Sequence, residues 1–427
     1  MTSSTPSFSD LGLHSLLCGR LVALEYVEPT PVQTQAIPYI LAGRDLIAGA
    51  NTGSGKTASF ALPLLQQVYE LQQLGGVSDK TSQGNVAGNL IVVPTRELAV
   101  QVADNIKSYA QPFNGVVKTV AVFGGVSINK QMLALRGGCD ILVATPGRLL
   151  DLIARHAIQL SQVNTLVLDE ADRLLSLGFT DELQALLDLM PKKKQVLLFS
   201  ATFPEEVKGL AQHQLHQPVD IQLQSADASS LVQRVFKVNK GQKTALLAHF
   251  IKKYAWSQTL IFVNSKRGCE HLADKLEKRG VYVDVFHGDQ GQGARTSVLE
   301  AFKHGEIDVM IATDIAARGL DIDKLPVVIN FDLPRSPTDY MHRIGRSGRA
   351  GEVGLALSLI DYEDYHHFNV IEKKNKIWLE REEEPGFEVD ESLEKTIEKP
   401  VAKPKGSGKK KRQKKPDVNA NIWSRYE

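Results

Sequence analysis

Hydrophobic positions in the first half of the chain fall into short, nearly continuous runs separated by longer amphipathic stretches. The runs are rich in Val, Ile and Leu and cover residues 45–48, 90–93, 119–123, 140–144, 165–168 and 195–199. Because continuous apolar runs of this length are typical of strands buried on both faces, we predict a parallel sheet. The stretches between them predict helices on both sides of that sheet, over residues 58–71, 97–110, 126–136, 147–153 and 180–190.

The second half of the chain repeats this alternation. Apolar runs cover residues 259–263, 282–286, 309–312, 327–331 and 355–360, and helices are predicted over 243–253, 269–279 and 294–302. We therefore predict an α/β fold of two similar lobes in tandem, over residues 1–221 and 231–377. The small polar residues 222–230 predict an interdomain linker, and the Gly- and Ser-rich residues 75–89 predict a surface loop.

Composition limits the classes of protein to consider. The chain has 427 residues, 43% of them hydrophobic and 23% charged, with a formal net charge of +1. This length suffices for two domains, and the near-neutral charge restricts any nucleic-acid affinity to local patches. Three cysteines without a CxxC pair predict neither a zinc site nor a disulfide framework. The polar N-terminus and the short apolar runs predict a cytoplasmic protein without a membrane span.

Residues 378–427 differ from the rest of the chain in composition. Four Glu residues within 380–384 begin an acidic stretch, and nine Lys or Arg residues within 399–415 follow with no acid among them. Such charge blocks, together with Pro and Gly, predict a disordered tail. The basic part would attract phosphates without sequence preference. A solubility tail or a localisation signal explains the same composition.

A glycine-rich turn lies between the apolar run at 45–48 and the helix predicted at 58–71. It reads Ala50-Asn51-Thr52-Gly53-Ser54-Gly55-Lys56-Thr57, so Ala50 stands where the usual phosphate-binding pattern has its first glycine. Gly53 and Gly55 allow the backbone N–H groups to curl around a phosphate at the helix start. Lys56 can reach the outer phosphates and Thr57 can bind Mg²⁺. A turn that only caps a helix is the alternative for this motif alone.

Acidic residues follow the apolar run at 165–168, in the order Asp169-Glu170-Ala171-Asp172. Ligands bind at the carboxyl ends of parallel strands, so Asp169 is placed to hold Mg²⁺ beside a phosphate-binding loop. Glu170 could orient or deprotonate the attacking water. A helix start enriched in acids is the alternative. The apolar strand and the upstream glycine turn disfavour it.

Together these motifs resemble those of the DEAD-box ATP-dependent RNA helicases of helicase superfamily 2, and the short flanks are similar to compact bacterial members. The resemblance extends over roughly residues 8–360 and implies two tandem RecA-like lobes, ATP and Mg²⁺ as cofactors, and RNA as the partner. Residues 29–33 resemble the family's adenine-reading motif, in which Gln33 would pair with the adenine edge. Tyr26 and Phe8 would lie near the base. The family usually has Gly where Glu25 stands.

The resemblance also implies roles for individual residues at the nucleotide. The implied nucleotide-binding residues are Phe8, Tyr26, Gln33, Thr52, Gly53, Ser54, Gly55, Lys56, Thr57 and Asp321. The implied catalytic residues are Lys56, Asp169, Glu170 and two second-lobe arginines that would meet the γ-phosphate when the lobes close, Arg346 and Arg349. The residues implied to couple hydrolysis to movement are Asp172, Ser200, Thr202 and His342. A metal-ligand role for His342 is the alternative, but no second ligand lies at a useful spacing.

Strand–helix turns carry the implied RNA contacts. In the first lobe these are residues 94–98, 124–125 and 145–148, where helix N-termini, Gly amides and Arg side chains suit phosphate contact. An ordinary strand–helix turn is the alternative for each of these segments alone. Contact with the RNA backbone predicts little base specificity, and contacts to the 2′-hydroxyls would distinguish RNA from DNA. The implied RNA-binding residues are Arg96, Gly124, Gly125, Thr145, Gly147, Arg148, Phe262, Gln292, Arg295 and Thr313.

We therefore expect an ATP-dependent RNA helicase whose lobes close on ATP and RNA, unwinding short duplexes or remodelling RNA–protein complexes. An ATP-gated RNA clamp with slow turnover is one alternative. A DNA translocase is another, which the Gln33 segment and the Asp169–Asp172 motif disfavour. We expect a monomer, with ribosomal or RNA-decay proteins as candidate partners. The sequence leaves the pathway open among ribosome assembly, RNA decay and cold adaptation.

Overall fold

A computed structural model describes residues 6–50, 54–74, 84–222, 231–317, 322, 325–348 and 354–390. Within these ranges the chain forms two seven-stranded sheets, and every strand pairing in them is parallel. Helices flank each sheet. The tandem α/β fold predicted from the hydrophobic pattern is confirmed.

The first lobe alternates strands with helices along the chain. Its elements are α1 (Ser15–Ala23), α2 (Pro31–Leu41), β1 (Leu46–Gly49), α3 (Lys56–Gln73), β2 (Ala87–Val92), α4 (Arg96–Ala110), β3 (Thr119–Val122), α5 (Ile128–Ala134), β4 (Cys139–Ala144), α6 (Pro146–Ala154), β5 (Thr165–Leu168), α7 (Ala171–Ser176), α8 (Thr180–Asp188), β6 (Gln195–Ser200), α9 (Glu205–Gln214) and β7 (Val219–Gln222). The strand order across the sheet is β3-β4-β2-β5-β6-β1-β7.

This sheet lies between two hydrophobic cores because its strands are apolar on both faces. Alternate residues of β6 show the arrangement. Leu197 and Phe199 pack into the core formed with α1–α4, where the rings of Phe199 and Phe60 lie 5.3 Å apart. Leu198, between them, packs into the core on the other face, formed with α5–α9. The buried sheet is therefore a rigid support for the turns at its edges.

The second lobe repeats this plan. Its elements are β8 (Leu231–Lys237), α10 (Lys243–Tyr254), β9 (Thr259–Phe262), α11 (Lys266–Glu277), β10 (Asp284–Phe286), α12 (Gln292–Lys303), β11 (Val309–Ala312), α13 (Asp314–Ala317), β12 (Val327–Asn330), α14 (Pro337–Ile344), β13 (Gly354–Ile360), α15 (Tyr365–Asn375) and β14 (Arg381–Glu382). The strand order is β10-β11-β9-β12-β13-β8-β14.

The prediction of disorder from residue 378 is wrong for residues 378–389, because these residues fold onto the second lobe. Strand β14 pairs with β8, and its Glu382 forms an ion pair with Arg234. Glu383 lies 2.7 Å from Lys237 Nζ. The acidic composition indicated a solvated segment, but β8 supplies matching cations. Residues 391–427 lie outside the described residues, as do 223–230 of the predicted linker, whereas Gln222 ends β7.

The acidic segment continues into a buried anchor. Glu384 is buried, and its Oε1 lies 3.0 Å from His249 Nε2 and close to Lys253 Nζ. Phe387 packs against the same core and lies 5.4 Å from the His249 ring. Both contacts are made with α10. The segment therefore covers β8, which would otherwise be the exposed edge strand of the second sheet.

Ending the chain after Ile377 should lower the melting temperature of the second lobe by about 5 °C. This truncation removes β14 and the carboxylates that pair with β8 and α10. A chain that ends after Asp390 keeps these contacts and should melt like the full chain. Calorimetry of the two truncated chains measures the difference. Identical melting of both chains would show that residues 378–390 contribute nothing to the lobe.

Within the described ranges, no helix is both long and apolar enough to cross a membrane. Cys18, Cys139 and Cys269 form no disulfide bonds, and the last two are buried.

Candidate functional site

The predicted motifs of the first lobe meet at one edge of its sheet. Backbone hydrogen bonds join neighbouring strand ends there, namely Thr145 N to Val122 O (3.0 Å), Val93 N to Ala144 O (2.9 Å), Asp169 N to Val92 O (3.1 Å) and Ala50 N to Ser200 O (3.1 Å). The strand order places the turns after β3, β4 and β2 side by side, and those after β5, β6 and β1 beside them. The predicted RNA motifs thus occupy one half of the edge and the predicted nucleotide motifs the other half.

The glycine-rich turn leads directly into α3, which begins at Lys56. Gly55 precedes it with a φ of 94°, in the left-handed region that glycine adopts without strain. A Cβ added to Gly55 would lie 2.4 Å from Gln33 Nε2, so a side chain has no room there. Gly55, the residue at the N-cap of α3, has no side chain to cap the helix. Its first N–H groups and its positive dipole end are therefore available to an anion.

The structure describes some of the other residues of this turn and not others. Lys56 is buried, and Ser54 and Thr57 are half-buried. Thr52 and Gly53 lie outside the described residues. The structure thus places Lys56 and Thr57 at the helix start, as predicted, and the roles of Thr52 and Gly53 stay predictions.

The side-chain amide of Gln33 ties α2 to the glycine-rich turn. Its Oε1 accepts a hydrogen bond from Thr30 N at 2.9 Å, and its Nε2 donates to Gly55 O at 3.1 Å. The amide has two N–H donors and two acceptor positions, so one of each remains for another partner. The buried Gln33 is therefore held rigidly with half of its hydrogen-bonding capacity unused by these two contacts.

The two aromatic residues predicted near the nucleotide base pack within the first lobe. Phe8 is buried in the core around α1–α4, and the Tyr26 and Tyr109 hydroxyl oxygens are 2.9 Å apart. Their position beside a base stays a prediction. Glu25 has a φ of 61°. This left-handed conformation explains why the related motif usually has glycine at that position.

Buried carboxylates follow β5. Burial raises the pKa of Asp169 to about 6; the Lys56 ammonium opposes this shift, and the charges of Glu170 and Asp172 add to it. Glu170 N donates to Asp169 Oδ1 at 2.9 Å. The buried Asp169 carboxylate favours a cation beside it, because a cation would relieve both its desolvation and its repulsion from Glu170 and Asp172.

The Glu170 backbone adopts an unusual conformation, with φ 53° and ψ 51°. A non-glycine residue in the left-handed region is strained, and such strain is common at functional sites. Arg173 Nε lies 3.6 Å from Glu170 Oε2, and both side chains are buried. Motif reasoning missed Arg173. Its only signal was a cation placed one helical turn after Glu170.

The four residues predicted to couple the two lobes are brought together. Asp172 Oδ2 accepts hydrogen bonds from Thr202 N (3.0 Å) and Thr202 Oγ1 (2.7 Å). Asp172 N donates to Ser200 Oγ at 3.2 Å, and Ser200 Oγ donates to Thr202 O at 2.7 Å. From the second lobe, His342 Nε2 lies 3.8 Å from Asp172 Oδ2. Asp172 therefore links β6 to the second lobe.

Arg343, which the motif roles did not include, is the centre of a buried network in the second lobe. Its guanidinium donates two hydrogen bonds of 2.6 Å to Asp314, and others to Asn330 and Asn264 at 3.1 Å. It also lies 4.9 Å from the centre of the Phe262 ring. These contacts join the ends of β9, β11 and β12 to α14.

Phe262 was predicted to bind RNA, but the structure places its ring in the second-lobe core, with 3% of the residue exposed. The physical reason is the guanidinium of Arg343, which covers it. Thr313, also predicted to bind RNA, is buried at the end of β11. Contact of Phe262 with RNA stays a prediction, and in the structure its ring packs against the Arg343 guanidinium.

Arg346 lies at the boundary between the lobes. Only 2% of it is exposed. It lines a narrow space together with residues from both lobes, namely Arg173, Asp314, Ala317, Asp339, His342 and Arg343. The predicted second arginine, Arg349, and the predicted ribose ligand, Asp321, lie outside the described residues.

Arg96 packs over the predicted Gly pair after β3. A Cβ added to Gly125, whose φ is 81°, would lie 1.8 Å from Arg96 Nη1, whereas one on Gly124 would lie 3.7 Å from Arg96 Nε. The backbone conformation of Gly125 therefore favours glycine, and a larger residue would also push the Arg96 guanidinium out of its place.

The start of α6 combines a fixed arginine with open space. Arg148 Nη1 donates to Gln131 Oε1 at 3.0 Å, and Nη2 donates to Val126 O at 3.1 Å. Thr145 precedes the helix and is buried. A Cβ added to Gly147 would have no atom within 4 Å. This helix start can therefore be approached closely by a ligand backbone.

The two predicted RNA-binding residues of α12 contact the first lobe. Arg295 Nη2 lies 2.9 Å from Glu97 Oε1, and both side chains are buried. Gln292 Nε2 donates to the same Glu97 oxygen at 3.5 Å. Burial lowers the pKa of Arg295, the carboxylate of Glu97 opposes this, and the cation of Arg96 adds to it. Glu97 is thus a functional candidate that motif reasoning missed, and its signal was only its place beside Arg96.

Reversing the charge at either end of this contact should weaken the closed arrangement of the lobes. We expect Glu97→Arg and Arg295→Glu each to lower the RNA-stimulated ATPase rate by at least about tenfold, because each single exchange leaves two like charges buried side by side. The double exchange restores an ion pair and should recover much of the rate. If the double variant is as slow as the singles, the contact between Glu97 and Arg295 does not hold the lobes together.

Most of the chain matches known protein families. Residues 30–210 match the DEAD/DEAH box helicase family, and residues 242–351 match the helicase conserved C-terminal domain. The chain is 38% identical over 371 residues to the ATP-dependent RNA helicase CshA of Listeria monocytogenes, covering 86% of this chain and 69% of that protein.

Solved structures are similar over nearly the same span. Dbp5 of S. cerevisiae bound to RNA and ADP BeF3 gives a TM-score of 0.74 at 28% identity, covering 91% of this chain and 98% of that one. Mss116p bound to ssRNA and AMP-PNP gives a TM-score of 0.78 at 27% identity, covering 93% and 82%. The likeness therefore includes both sheets and not the first lobe alone.

Proposed function

The chain belongs to the DEAD/DEAH box helicase family, and on that premise we propose that it is an ATP-dependent RNA helicase. It would unwind short duplexes or remodel RNA–protein complexes. The observation that carries this proposal is the divided edge of the first sheet, with nucleotide motifs after β5, β6 and β1 and RNA motifs after β3, β4 and β2. Residues of the second lobe approach both halves. Two RecA-like lobes thus complete two sites at once.

ATP would bind with its phosphates at the start of α3. The backbone of the glycine-rich turn and Lys56 would hold the phosphates. The unused donor and acceptor of Gln33 match the adenine edge, which offers one acceptor and one donor. Because Gln33 also binds Gly55 of the phosphate-binding turn, one side chain would connect the base site to the phosphate site.

Asp169 and Thr57 fit a Mg²⁺ ion. Among the described residues, no group of three or more His, Cys, Asp or Glu side chains could hold a metal by itself. Mg²⁺ commonly uses one or two protein ligands and completes its shell with phosphates and water. Burial raises the pKa of Asp169, and a bound cation would oppose this shift as the Lys56 ammonium does. When bound, the ion would neutralise charge on the phosphates.

Glu170 would orient the attacking water and accept its proton. Its left-handed backbone sets the direction in which the side chain leaves the chain, and Arg173 restrains the carboxylate. Arg346 would approach the transferring phosphoryl group from the second lobe, where a planar guanidinium suits charge spread over several oxygens. Hydrolysis would therefore require closed lobes.

RNA and ATP would each favour the closed arrangement. The contacts of Glu97 with Arg295 lie in the RNA half, and that of Asp172 with His342 lies in the nucleotide half. Because closure completes both sites, each ligand should tighten the binding of the other. A single strand held by Arg96, Arg148 and the glycine turns cannot keep a regular duplex geometry, so closure would separate a few base pairs.

We assign residues 1–221 and 231–377 to the two lobes and add residues 378–390 to the second. One chain supplies both parts of each site, so a monomer suffices. We place it in the cytoplasm, and the protein partners would come from ribosome assembly or RNA decay. RNA specificity would be low, because backbone amides and arginines read phosphates and sugars rather than bases.

Duplex unwinding with exchanged loading strands tests this proposal. The duplexes share one short RNA–DNA hybrid region and differ only in a single-stranded extension of RNA or DNA. We expect ATP-dependent strand release only with the RNA extension. Equal release with the DNA extension would favour a DNA translocase. Retention of RNA with ATP but no strand release would favour the RNA clamp.

A further inference from the structure

A large aromatic side chain projects from the second lobe just after α15. The helix ends at Asn375, and Lys376 takes a left-handed conformation with φ 56°. From there the chain is extended, and alternate side chains face opposite ways. Ile377 and Leu379 pack against the lobe core, while Trp378 between them is 76% exposed. Burying an indole ring stabilises proteins strongly, so this exposure is unusual.

The backbone on both sides of Trp378 is held firmly. Ile377 N donates to Glu372 O at 3.1 Å, and Leu379 N donates to Glu372 Oε1 at 3.0 Å. Arg381 then forms two hydrogen bonds of 2.7 and 2.8 Å to the same carboxylate and begins β14. The indole is therefore presented from a fixed backbone, which reduces the entropy lost when it binds a partner.

The surroundings of the indole are basic. Lys373, Lys374 and Lys376 are exposed, and within the part of the chain that the structure describes none of them forms an ion pair. The one exposed acid of this stretch is Glu380. An exposed aromatic face among unpaired lysines matches single-stranded nucleic acid, which offers base faces for stacking and phosphates for the ammonium groups.

The place of this surface in the fold is away from the edge that carries the second-lobe motifs. Asn375 Nδ2 donates to Pro337 O at 3.0 Å, which joins the end of α15 to the start of α14. Strand β14 pairs with β8 in parallel, with Arg381 opposite Val235, so Trp378 lies level with the start of β8. The surface thus lies outside the cleft, at the amino edge of the second sheet.

We propose that Trp378 with Lys373, Lys374 and Lys376 forms a stacking platform for single-stranded RNA outside the cleft. This Trp378 platform binds the RNA that extends beyond the nucleotides held between the lobes. The inference rests on the proposed RNA-helicase function and adds a second RNA site to it. Charge favours RNA over a protein occupant, because residues 373–380 carry three exposed lysines and one exposed acid.

The test compares RNAs of two lengths on the full chain. An oligouridine of about 5 nucleotides fills the cleft only, and one of about 20 nucleotides also reaches the platform. We expect Trp378→Ala to weaken binding of the long RNA by about tenfold while leaving the short RNA and its stimulation of ATPase unchanged. Trp378→Phe, which keeps a stacking ring, should retain most of the affinity. Tyr282→Ala is the matched control, because Tyr282 is another aromatic of the same lobe and is 91% exposed.

Fluorescence and salt dependence give independent readouts. Long RNA should quench the intrinsic fluorescence of the wild-type chain, and this quenching should be smaller in Trp378→Phe. Replacing the three lysines by Ala should make the slope of log K against log salt concentration for long-RNA binding shallower, by the equivalent of about two to three phosphate contacts.

Four outcomes overturn the inference. Equal affinities of wild type and Trp378→Ala for both lengths would remove the platform while the helicase function stands. An equal loss for both lengths would show a structural role. A change of oligomeric state without a change in RNA affinity would make the surface a protein contact. A wild type that binds neither RNA would refute the proposed function itself.

Discussion

Glu170→Gln is expected to stop ATP turnover while ATP and RNA binding remain. The amide has nearly the shape of the carboxylate, so the strained backbone and the packing against Arg173 can be kept. It cannot accept a proton from water. General-base catalysis contributes roughly 10²–10⁴-fold, so we expect kcat to fall by about 10³-fold. Single-turnover hydrolysis measures the rate, and a fluorescent ATP analogue measures binding.

The control for this variant is Glu205→Gln. Glu205 also lies in the first turn of a helix of the first lobe, but its side chain is 86% exposed and pairs with Lys208. Its turnover should equal that of the wild type. Full turnover in Glu170→Gln would remove Glu170 from the catalytic step and leave the acidic motif with a binding role only.

Arg346→Ala should lower kcat by about 10³-fold and leave ATP binding to the first lobe nearly unchanged. Arginines that reach a transferring phosphoryl group contribute roughly 10³–10⁵-fold, and Arg346 belongs to the lobe that does not carry the phosphate-binding turn. Arg346→Lys should recover little, because an ammonium lacks the planar fork that matches several phosphoryl oxygens. Multiple-turnover kinetics at saturating RNA separates kcat from KM.

Two other arginines of the second lobe distinguish this role from damage to the fold. Arg343→Ala removes the centre of a buried network and should unfold the second lobe at lower temperature. Arg279→Ala changes an exposed arginine at the end of α11 and should leave both stability and turnover unchanged. A normal kcat in Arg346→Ala, or a loss that parallels lost stability, would contradict a direct role for Arg346.

Hydrophobic pattern predicted the two parallel sheets because their central strands are continuously apolar. It missed β8, although β8 lies inside the second sheet. Arg234 and Lys237 interrupt its apolar run, and their partners are acids nearly 150 positions away in the chain, Glu382 and Glu383. The same acids made the final folded segment look solvated. Charges that are paired over long distances cannot be recognised from local composition.

Motif spacing predicted which turns lie at the nucleotide and RNA halves, because a strand followed by a turn and a helix puts that turn at the carboxyl edge. It could not predict contacts between lobes. Glu97 and Arg295 meet only because two sheets come together in space. Phe262 shows a second limit. A motif match carries a role for the segment, whereas the position of Arg343 decides that this ring is buried.

ATP hydrolysis by the purified full chain, measured alone, with single-stranded RNA and with DNA of the same sequence, tests the central claim most directly. If two half-sites on one sheet edge are completed by closure of the second lobe, RNA should stimulate hydrolysis strongly and DNA should not. Equal stimulation by DNA, or hydrolysis that RNA leaves unchanged, would contradict the coupling of the two halves.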